Sequence, residues 1–384
     1  MRIGIDARTL TADEFTGVET YTINVIQQLL ELGKPENFVL FSSGGKRNLN
    51  SRLLRLLPGK VNLKDLRIPN RLLNASLLFF AKPEIDRLLG KIDAFFSPRY
   101  LFGAYSAQCR LVVTIHDVSF VHFPEFFSRK QRLWHQVVSD HRACLRAQAV
   151  IVVSSSTRLD VAKFFNTPSK KIFTVPPGLD HRIFNTTVDR EREERLRHKY
   201  QLSGDYIVYL GTIEPRKNVA AIIAAYEKFR TKAKNKVKLV LAGGLGWLYQ
   251  DTLRLIKSSA VYKDISVLGY VEESFKPSLL RCAKVFVFPS YYEGFGFPPL
   301  EAMACGVPVI VAANSSFHEV LGNACLYVNP FDSTQLSLAI EAILSDPRLA
   351  DELVQAGIAR AQLFSWEKTG KGIIGVLRHV LEQQ

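Results

Sequence analysis

Cysteine is sparse in this chain. Five residues, Cys109, Cys144, Cys282, Cys305 and Cys325, are spread over 384 positions. None stand in Cys-x-x-Cys spacing, and an odd number cannot all pair. That pattern argues against a disulfide-framed secreted scaffold and predicts buried thiols in a reducing compartment. Long apolar runs are lacking as well. The longest candidate, residues 72–81, covers only about half of the ~18 residues a membrane-spanning helix needs, and Asn74 and Ser76 interrupt it. The opening MRIGIDART reads at once as a strand, with no basic region leading into an apolar stretch, so no secretory signal is expected. Internal repeats and low-complexity tracts are missing too.

Acidic residues are in deficit. Lys and Arg number 50 against 36 Asp and Glu, a net charge of +14. The excess is uneven. Residues 1–177 hold 25 basic and 14 acidic side chains, and residues 45–91 alone hold 11 and 3. A basic N-terminal half implies an anionic partner: a membrane surface, a phosphorylated lipid carrier or nucleic acid.

What is present is a globular composition, 47% hydrophobic and 11% aromatic. The length exceeds what one core usually supports, so two domains are expected. Apolar runs at 2–6, 38–42, 94–97, 110–115, 149–154 and 172–175 read as strands separated by helical stretches, the first of these helices at 21–32 after a turn at 16–20. A second series follows at 206–210, 237–241, 265–268, 285–288 and 307–311, with a helix at 219–232. Strands alternating with helices argue for parallel sheets. Pro176-Pro177-Gly178 is the clearest breaker between the two series. The expected organisation is therefore 1–177, 178–365 and an amphipathic terminal helix at 366–384.

The stretch 285–321 carries the most chemistry. A buried strand stops at Pro289-Ser290. Glu293 follows, then Gly294, Phe295 and Gly296, then Pro298-Pro299 at a helix start, where a missing N–H costs nothing. Glu301 lies on that helix, which Gly306 ends, and another strand follows. Ligands of open α/β sheets bind beyond the carboxyl ends of the strands. Glycine N–H groups and a helix N-terminus suit a phosphate, and a carboxylate suits neutral hydroxyls. Two carboxylates eight residues apart beside a phosphate cradle fit a ligand with many hydroxyls and a diphosphate, such as a nucleotide sugar. The plain alternative is a solvated loop acid at Glu293 and an ordinary helix-start acid at Glu301.

The string PSYYEGFGFPPLEAMACGVPVI resembles the E-x7-E region of the retaining glycosyltransferases of family 4, which have the GT-B fold. That resemblance implies two Rossmann-like α/β domains facing across a cleft, with the last helix crossing back onto the N-terminal domain. It implies that Glu293 positions the donor sugar and Glu301 binds the ribose. Gly211 to Asn218, GTIEPRKN, resembles the family's G-x-x-x-x-R-K-N loop, in which Arg216 and Lys217 contact the donor diphosphate. Such a pair also stabilises charge on a leaving nucleotide. Gly17 and Val18 resemble the glycine-bearing loop beside the donor phosphate and the acceptor, although this loop carries one glycine where many members carry two or three. His116, in VVTIHDV, matches a family histidine near the donor sugar, and Asp117 would tune or position its ring. Tyr270 and Val271 match the turn that packs on the nucleobase. Ser154 to Ser156, Pro177 to Asp180 and Glu319 also match family strings, without an assigned role.

No Asp-x-Asp pair occurs in the chain, so no obligatory metal and no cofactor is expected; cation duty would fall to Arg216, Lys217 and a helix N-terminus. The resemblance implies a cytoplasmic hexosyltransferase acting on a glycan or lipid-linked oligosaccharide, in the manner of bacterial mannosyl- or rhamnosyltransferases of O-antigen and polysaccharide assembly. A GDP-linked donor is the expectation. No nucleic-acid module is recognisable, so nucleic acid is not an expected partner. A sugar-nucleotide epimerase and a non-catalytic nucleotide-sugar binder remain the alternatives. Residues 72–89, rich in Leu and Phe and flanked by Arg71, Lys82 and Arg87, read either as a helix that dips into a lipid interface at the inner face of the plasma membrane or as a core-facing helix. The two readings differ in whether Phe79 and Phe80 are exposed.

Overall fold

The computed structural model describes residues 2–11, 17–44, 61–232 and 237–383. The basic positions between 45 and 60, and Thr16 of the first loop, lie outside the described residues. The chain divides into two compact units. The first comprises Met1–Val118, Leu133–Gly178 and Trp366–Gln384, and the second comprises Ser119–Arg132 and Leu179–Ser365.

The first unit is built on a seven-stranded sheet: β1 (Ile3–Asp6), β2 (Phe38–Ser42), β3 (Asn62–Asp65), β4 (Ala94–Ser97), β5 (Arg110–Ile115), β6 (Ala149–Val152) and β7 (Ile172–Thr174). Their order is β3-β2-β1-β4-β5-β6-β7, parallel throughout. β1, β2, β4 and β6 are buried along their whole length. This is why they read as unbroken apolar runs: a parallel sheet covered on both faces has no polar side to alternate with. β3 departs from that rule. Its sequence NLKD alternates between exposed and half-buried positions at the sheet edge, and it offers no apolar run to recognise.

The second unit holds a six-stranded sheet, β8 (Tyr206–Leu210), β9 (Lys238–Ala242), β10 (Ile265–Gly269), β11 (Val285–Phe288), β12 (Val309–Ala312) and β13 (Leu326–Val328). The order is β10-β9-β8-β11-β12-β13, again parallel. Both sheets run outward one way from the first strand and then back the other way, the doubly wound pattern of Rossmann-like folds. The reversal lies between β1 and β4 in the first sheet and between β8 and β11 in the second.

The terminal helix, Trp366–Glu382, belongs to the first unit. Its buried residues, Trp366, Thr369, Gly370, Ile373, Ile374, Val376, Leu377 and Val380, form the helical stripe expected of an amphipathic helix. It packs on the helix Gly17–Leu32. Gly370 makes this possible, because a Cβ there would stand 2.7 Å from the Cβ of Gln28. Thr369 Oγ1 donates to the Pro176 carbonyl at 2.8 Å.

Some boundaries differ from the sequence expectation. The first helix starts at Gly17, four residues earlier than the periodicity places it. The segment 72–89 is not one helix: Asn70–Phe80 ends at Ala81, whose φ of 51° is left-handed, and a short turn Ile85–Leu88 follows. The segment Ser119–Arg132 groups with the second unit, although it precedes the Pro176–Gly178 breaker. Aromatic contacts hold it there. Phe126 stacks on Tyr291 with ring centroids 5.0 Å apart, His122 on Tyr292 at 4.9 Å, and Phe127 on Trp247 at 5.5 Å. The indole N–H of Trp247 donates to the Phe126 carbonyl at 2.6 Å.

Candidate active site

β8 and β11 flank the point where the second sheet reverses, and the crevice beyond such a point is where doubly wound sheets place ligands. The loop after β8 carries Glu214, Arg216 and Lys217, and the loop after β11 carries Glu293. Asn218, left-handed at φ 56° and buried, locks the first loop in place. Its amide donates to the carbonyls of Pro289 (3.1 Å) and Pro330 (2.7 Å). The backbone N–H of Tyr291 donates to the Arg216 carbonyl at 2.9 Å, joining the two loops directly.

The four charged side chains form one group. Lys217 Nζ lies 2.5 Å from one oxygen of Glu293, and an Arg216 guanidinium nitrogen lies 3.2 Å from the other. Arg216 also reaches Glu214 at 3.0 Å and donates to the Tyr292 carbonyl at 2.8 Å. All four are nearly or fully buried, with side-chain exposures between 3% and 12%. Two cations and two carboxylates cancel formally, which is what lets so much charge sit away from water. Burial raises the Glu293 carboxyl, but Lys217 and then Arg216 outweigh it and hold it below its ordinary range. Glu214 goes the other way: burial raises its pKa, and Arg216 and Lys217 only partly offset this.

A third loop, after β12, supports Glu293 from behind. Ser315 Oγ accepts the Glu293 N–H at 3.1 Å, and Ser316 Oγ donates to the carbonyls of Glu293 and Phe295 at 3.0 and 3.1 Å. Asn314 donates to the carbonyls of Ser290 and Tyr291 at 3.1 and 2.9 Å. Asn218 closes the R-K-N string, but Glu214 and this Asn-Ser-Ser run escape a motif-based reading. The one hint in the sequence is a cluster of short polar residues directly after an apolar strand.

The glycines adjoining Glu293 lead into the helix Phe297–Ala304, with Pro298 and Pro299 in its first turn. Gly296 has φ 92°, and a Cβ there would meet the Phe317 ring at 2.7 Å, so only glycine suits the position. Phe295 turns inward to Phe297 and Phe364, at 5.3 and 5.6 Å. Only its backbone is suited to meet a ligand. Gly294 is buried.

Glu301 sits half-buried on that helix. Burial raises its pKa to about 7 against the pull of Lys276, and Glu273 adds to the rise. Lys276 pairs with Glu273 at 2.5 Å. The turn after β10 is close by: the Tyr270 hydroxyl lies 3.4 Å from Glu273, and Tyr270 is 40% exposed while Val271 is buried. Glu301 and the Tyr270 turn therefore share a corner that is distinct from the Arg216–Lys217–Glu293 group.

The remaining candidates belong to the first unit. Gly17 opens its helix exposed, and the Val18 carbonyl accepts Thr22 Oγ1 at 2.8 Å. Buried Glu19 lies 3.7 Å from Arg99, which follows β4. His116 follows β5, half-buried, with its ring edge-on to Tyr21 at 4.7 Å. Its Nε2 lies 2.8 Å from the Pro98 carbonyl. A carbonyl only accepts, so Nε2 carries the proton and Nδ1 is the acceptor of the neutral ring. Burial lowers the His116 pKa to about 4, and the Pro98 carbonyl opposes this. Asp117 also pulls the pKa up, less strongly than Arg99 pushes it down. Among the described residues, no group of three or more His, Cys, Asp or Glu side chains is placed to hold a metal ion.

Comparison with known proteins assigns the family. Residues 191–360 match the family model of glycosyl transferases group 1, and residues 15–182 match that of Glycosyltransferase Family 4. The chain is 35% identical over 261 residues to the O-antigen chain mannosyltransferase B of Escherichia coli, covering 67% of each protein. It is 30% identical over 226 residues to the serotype-specific mannosyltransferase WbdA of the same organism, covering 58% of this chain but only 28% of that longer protein. Among solved structures, Anabaena Alr3699/HepE in complex with UDP-glucose superimposes with a TM-score of 0.77 at 17% identity, over 99% of this chain and 100% of that one.

Proposed function

Because this chain belongs to the glycosyltransferases of group 1 and family 4, and so is a hexosyltransferase, we propose that it moves a mannosyl group from a GDP-linked donor to a hydroxyl of a glycan or lipid-linked oligosaccharide, with retention at the anomeric carbon, in the assembly of a cell-surface polysaccharide. The observation that carries this reading is the buried Arg216–Lys217–Glu293 group at the reversal point of the second sheet. It offers two cations to a diphosphate and one carboxylate to sugar hydroxyls. The name of the mannosyltransferase relative supports mannose over other hexoses, and the UDP-glucose complex of the structural neighbour supports a nucleotide-sugar donor.

In the proposed reaction the bond from the sugar C1 to the phosphate oxygen breaks, and a bond from C1 to the acceptor oxygen forms on the same face. The acceptor proton passes to the leaving diphosphate. Arg216 and Lys217 stabilise the charge that gathers on that diphosphate, a contribution of about 3–4 kcal/mol per well-placed donor in comparable sites. Glu293 orients the sugar and Glu301 holds the ribose hydroxyls. His116, neutral and acceptor-only at Nδ1, takes a hydroxyl proton as a hydrogen bond and does not act as an acid. The reaction runs without a metal. The enzyme works at the cytoplasmic face of a membrane, where lipid-linked acceptors are presented.

Incubation with GDP-mannose and a lipid-linked oligosaccharide extract, followed by proton NMR of the product, tests this. An α-mannoside is expected. A β-mannoside would overturn retention, and an isomerised nucleotide sugar without any glycoside would favour an epimerase.

A further inference from the structure

Helix Asn70–Phe80 in the first unit is amphipathic in the wrong sense for a water-facing helix. Leu73 and Leu77, one turn apart, are buried and anchor it. The opposite side should be polar. It is instead apolar: Leu72 is 64% exposed, Leu78 46%, and Phe79 and Phe80 each 75%. Projected at helical spacing, Leu72, Ala75, Leu78 and Phe79 share one outward arc with Arg71, and Phe80 projects from the helix end. Single exposed apolar residues are ordinary, but four large ones on an eleven-residue helix mark a surface built to be covered.

The helix tip is fixed rather than frayed. Ala81 closes it in the left-handed region, and Ser76 Oγ donates back to the Lys82 carbonyl at 2.7 Å. Phe79 and Phe80 are thus held outward by the backbone. The segment that carries them is basic in sequence on both sides. Arg67, Arg71, Lys82, Arg87 and Lys91 are all exposed. Glu84, the nearest acid in sequence, is half-buried and shared between Lys82 (3.3 Å) and Arg87 (2.5 Å). Exposed apolar tips in a segment with exposed long cationic side chains match a bilayer: the rings enter the acyl boundary while Lys and Arg reach the headgroups.

We infer that this helix is the element by which the protein docks on a membrane carrying anionic phospholipid, with Leu72, Leu78, Phe79 and Phe80 as the inserted face and Arg71 and Lys82 as headgroup contacts. This deepens the proposed membrane-side location and rests on it for its biological meaning. Lipid binding is read without catalysis, so the two can fail separately.

The test is co-sedimentation of the full chain with phosphatidylcholine vesicles containing about one third phosphatidylglycerol, an anionic fraction at which each basic contact is worth roughly fivefold in partitioning. Wild type should sediment and be released by salt. The double variant Phe79→Ser/Phe80→Ser should lose binding by about tenfold or more, and Arg71→Gln by roughly fivefold, while both keep wild-type affinity for GDP. As a check that does not depend on removing the aromatic rings together, an environment-sensitive dye on Phe79→Cys should shift to the blue on the same vesicles. Wild type that ignores anionic vesicles, a double variant that binds as wild type does, or a dye that does not respond would overturn the inference. So would wild type that forms dimers which the double variant dissolves, because the face would then belong to a second copy of the chain.

Discussion

Lys217 Nζ rests 2.5 Å from a carboxylate oxygen of Glu293, and both side chains are almost completely buried. The cation proposed to receive the donor diphosphate is therefore already occupied by the carboxylate proposed to receive the donor sugar. A bound donor would divide the pair, taking Lys217 and Arg216 with its phosphates and Glu293 with its hydroxyls. Replacing Glu293 should then have opposite effects on the two steps. Glu293→Gln removes the negative charge facing Lys217 and Arg216, so GDP should bind at least as tightly as to wild type by calorimetry. Turnover should fall by about 100-fold or more, the scale of losing one positioned polar group.

Lys217→Ala tests the same pair from the other side. It leaves Glu293 with Arg216 as its charged partner, in a buried setting where stranding one ion of a pair costs about 3–5 kcal/mol. The expected result is a lowered melting temperature and a kcat/KM reduced by roughly 100- to 1000-fold. GDP should raise the melting temperature of this variant less than that of wild type.

Glu214 holds Arg216 at 3.0 Å while that guanidinium also reaches Glu293. Its task is to aim the fork. Glu214→Gln should raise the donor KM by about tenfold, with a coupling of about 1–2 kcal/mol to Arg216→Lys in a double-mutant cycle. Additive losses would separate Glu214 from the site.

Glu301 supplies a pH signature. Its pKa is raised to about 7, chiefly by burial, whereas an exposed glutamate titrates near 4.3. The ionised form is the better acceptor for ribose hydroxyls. Nucleotide affinity should therefore rise as pH increases through about 7, and Glu301→Gln should flatten that rise. Isothermal titration across pH 6 to 8 with GDP, a range of about one unit either side of that titration, measures both.

His116 gives the first unit a stability profile of known sign. Its native pKa is lowered to about 4 by burial, while the unfolded ring titrates near 6.5. Between these values the unfolded chain binds more protons, so stability falls as pH drops from about 6.5 toward 4 and is intact above that window. His116→Gln removes the titrating ring and should reduce the slope of melting temperature against pH in that range.

The sequence disclosed the sheets wherever a strand is buried on both faces. β2, β4, β5, β8 and β11 match the apolar runs at 38–42, 94–97, 110–115, 206–210 and 285–288. It hid two of the four edge strands: β3 is polar, and β13 is three residues long and half-buried at two of them. Arg216, Lys217 and Glu293 were legible as separate motifs, and the structure brings them into contact. Glu214 and the Asn314–Ser316 support were not: Glu214 falls on a variable position of the loop motif, two residues from the Arg216 it holds, and the Asn-Ser-Ser run acts through hydrogen bonds to a loop 21 or more residues away in sequence. The placement of Ser119–Arg132 with the second unit was also invisible, since ring stacking to Tyr291, Tyr292 and Trp247 depends on tertiary placement rather than on local pattern.

The central claim is that Arg216, Lys217 and Glu293 form a donor site that turns over a nucleotide sugar. The most direct measurement is nucleotide release from a panel of GDP-, UDP- and dTDP-linked hexoses, with wild type and Glu293→Ala side by side, in the presence of a lipid-linked oligosaccharide extract. The account predicts release from GDP-mannose that is lost in the variant. Equal release by wild type and variant would contradict it, as would no release from any donor with the extract present.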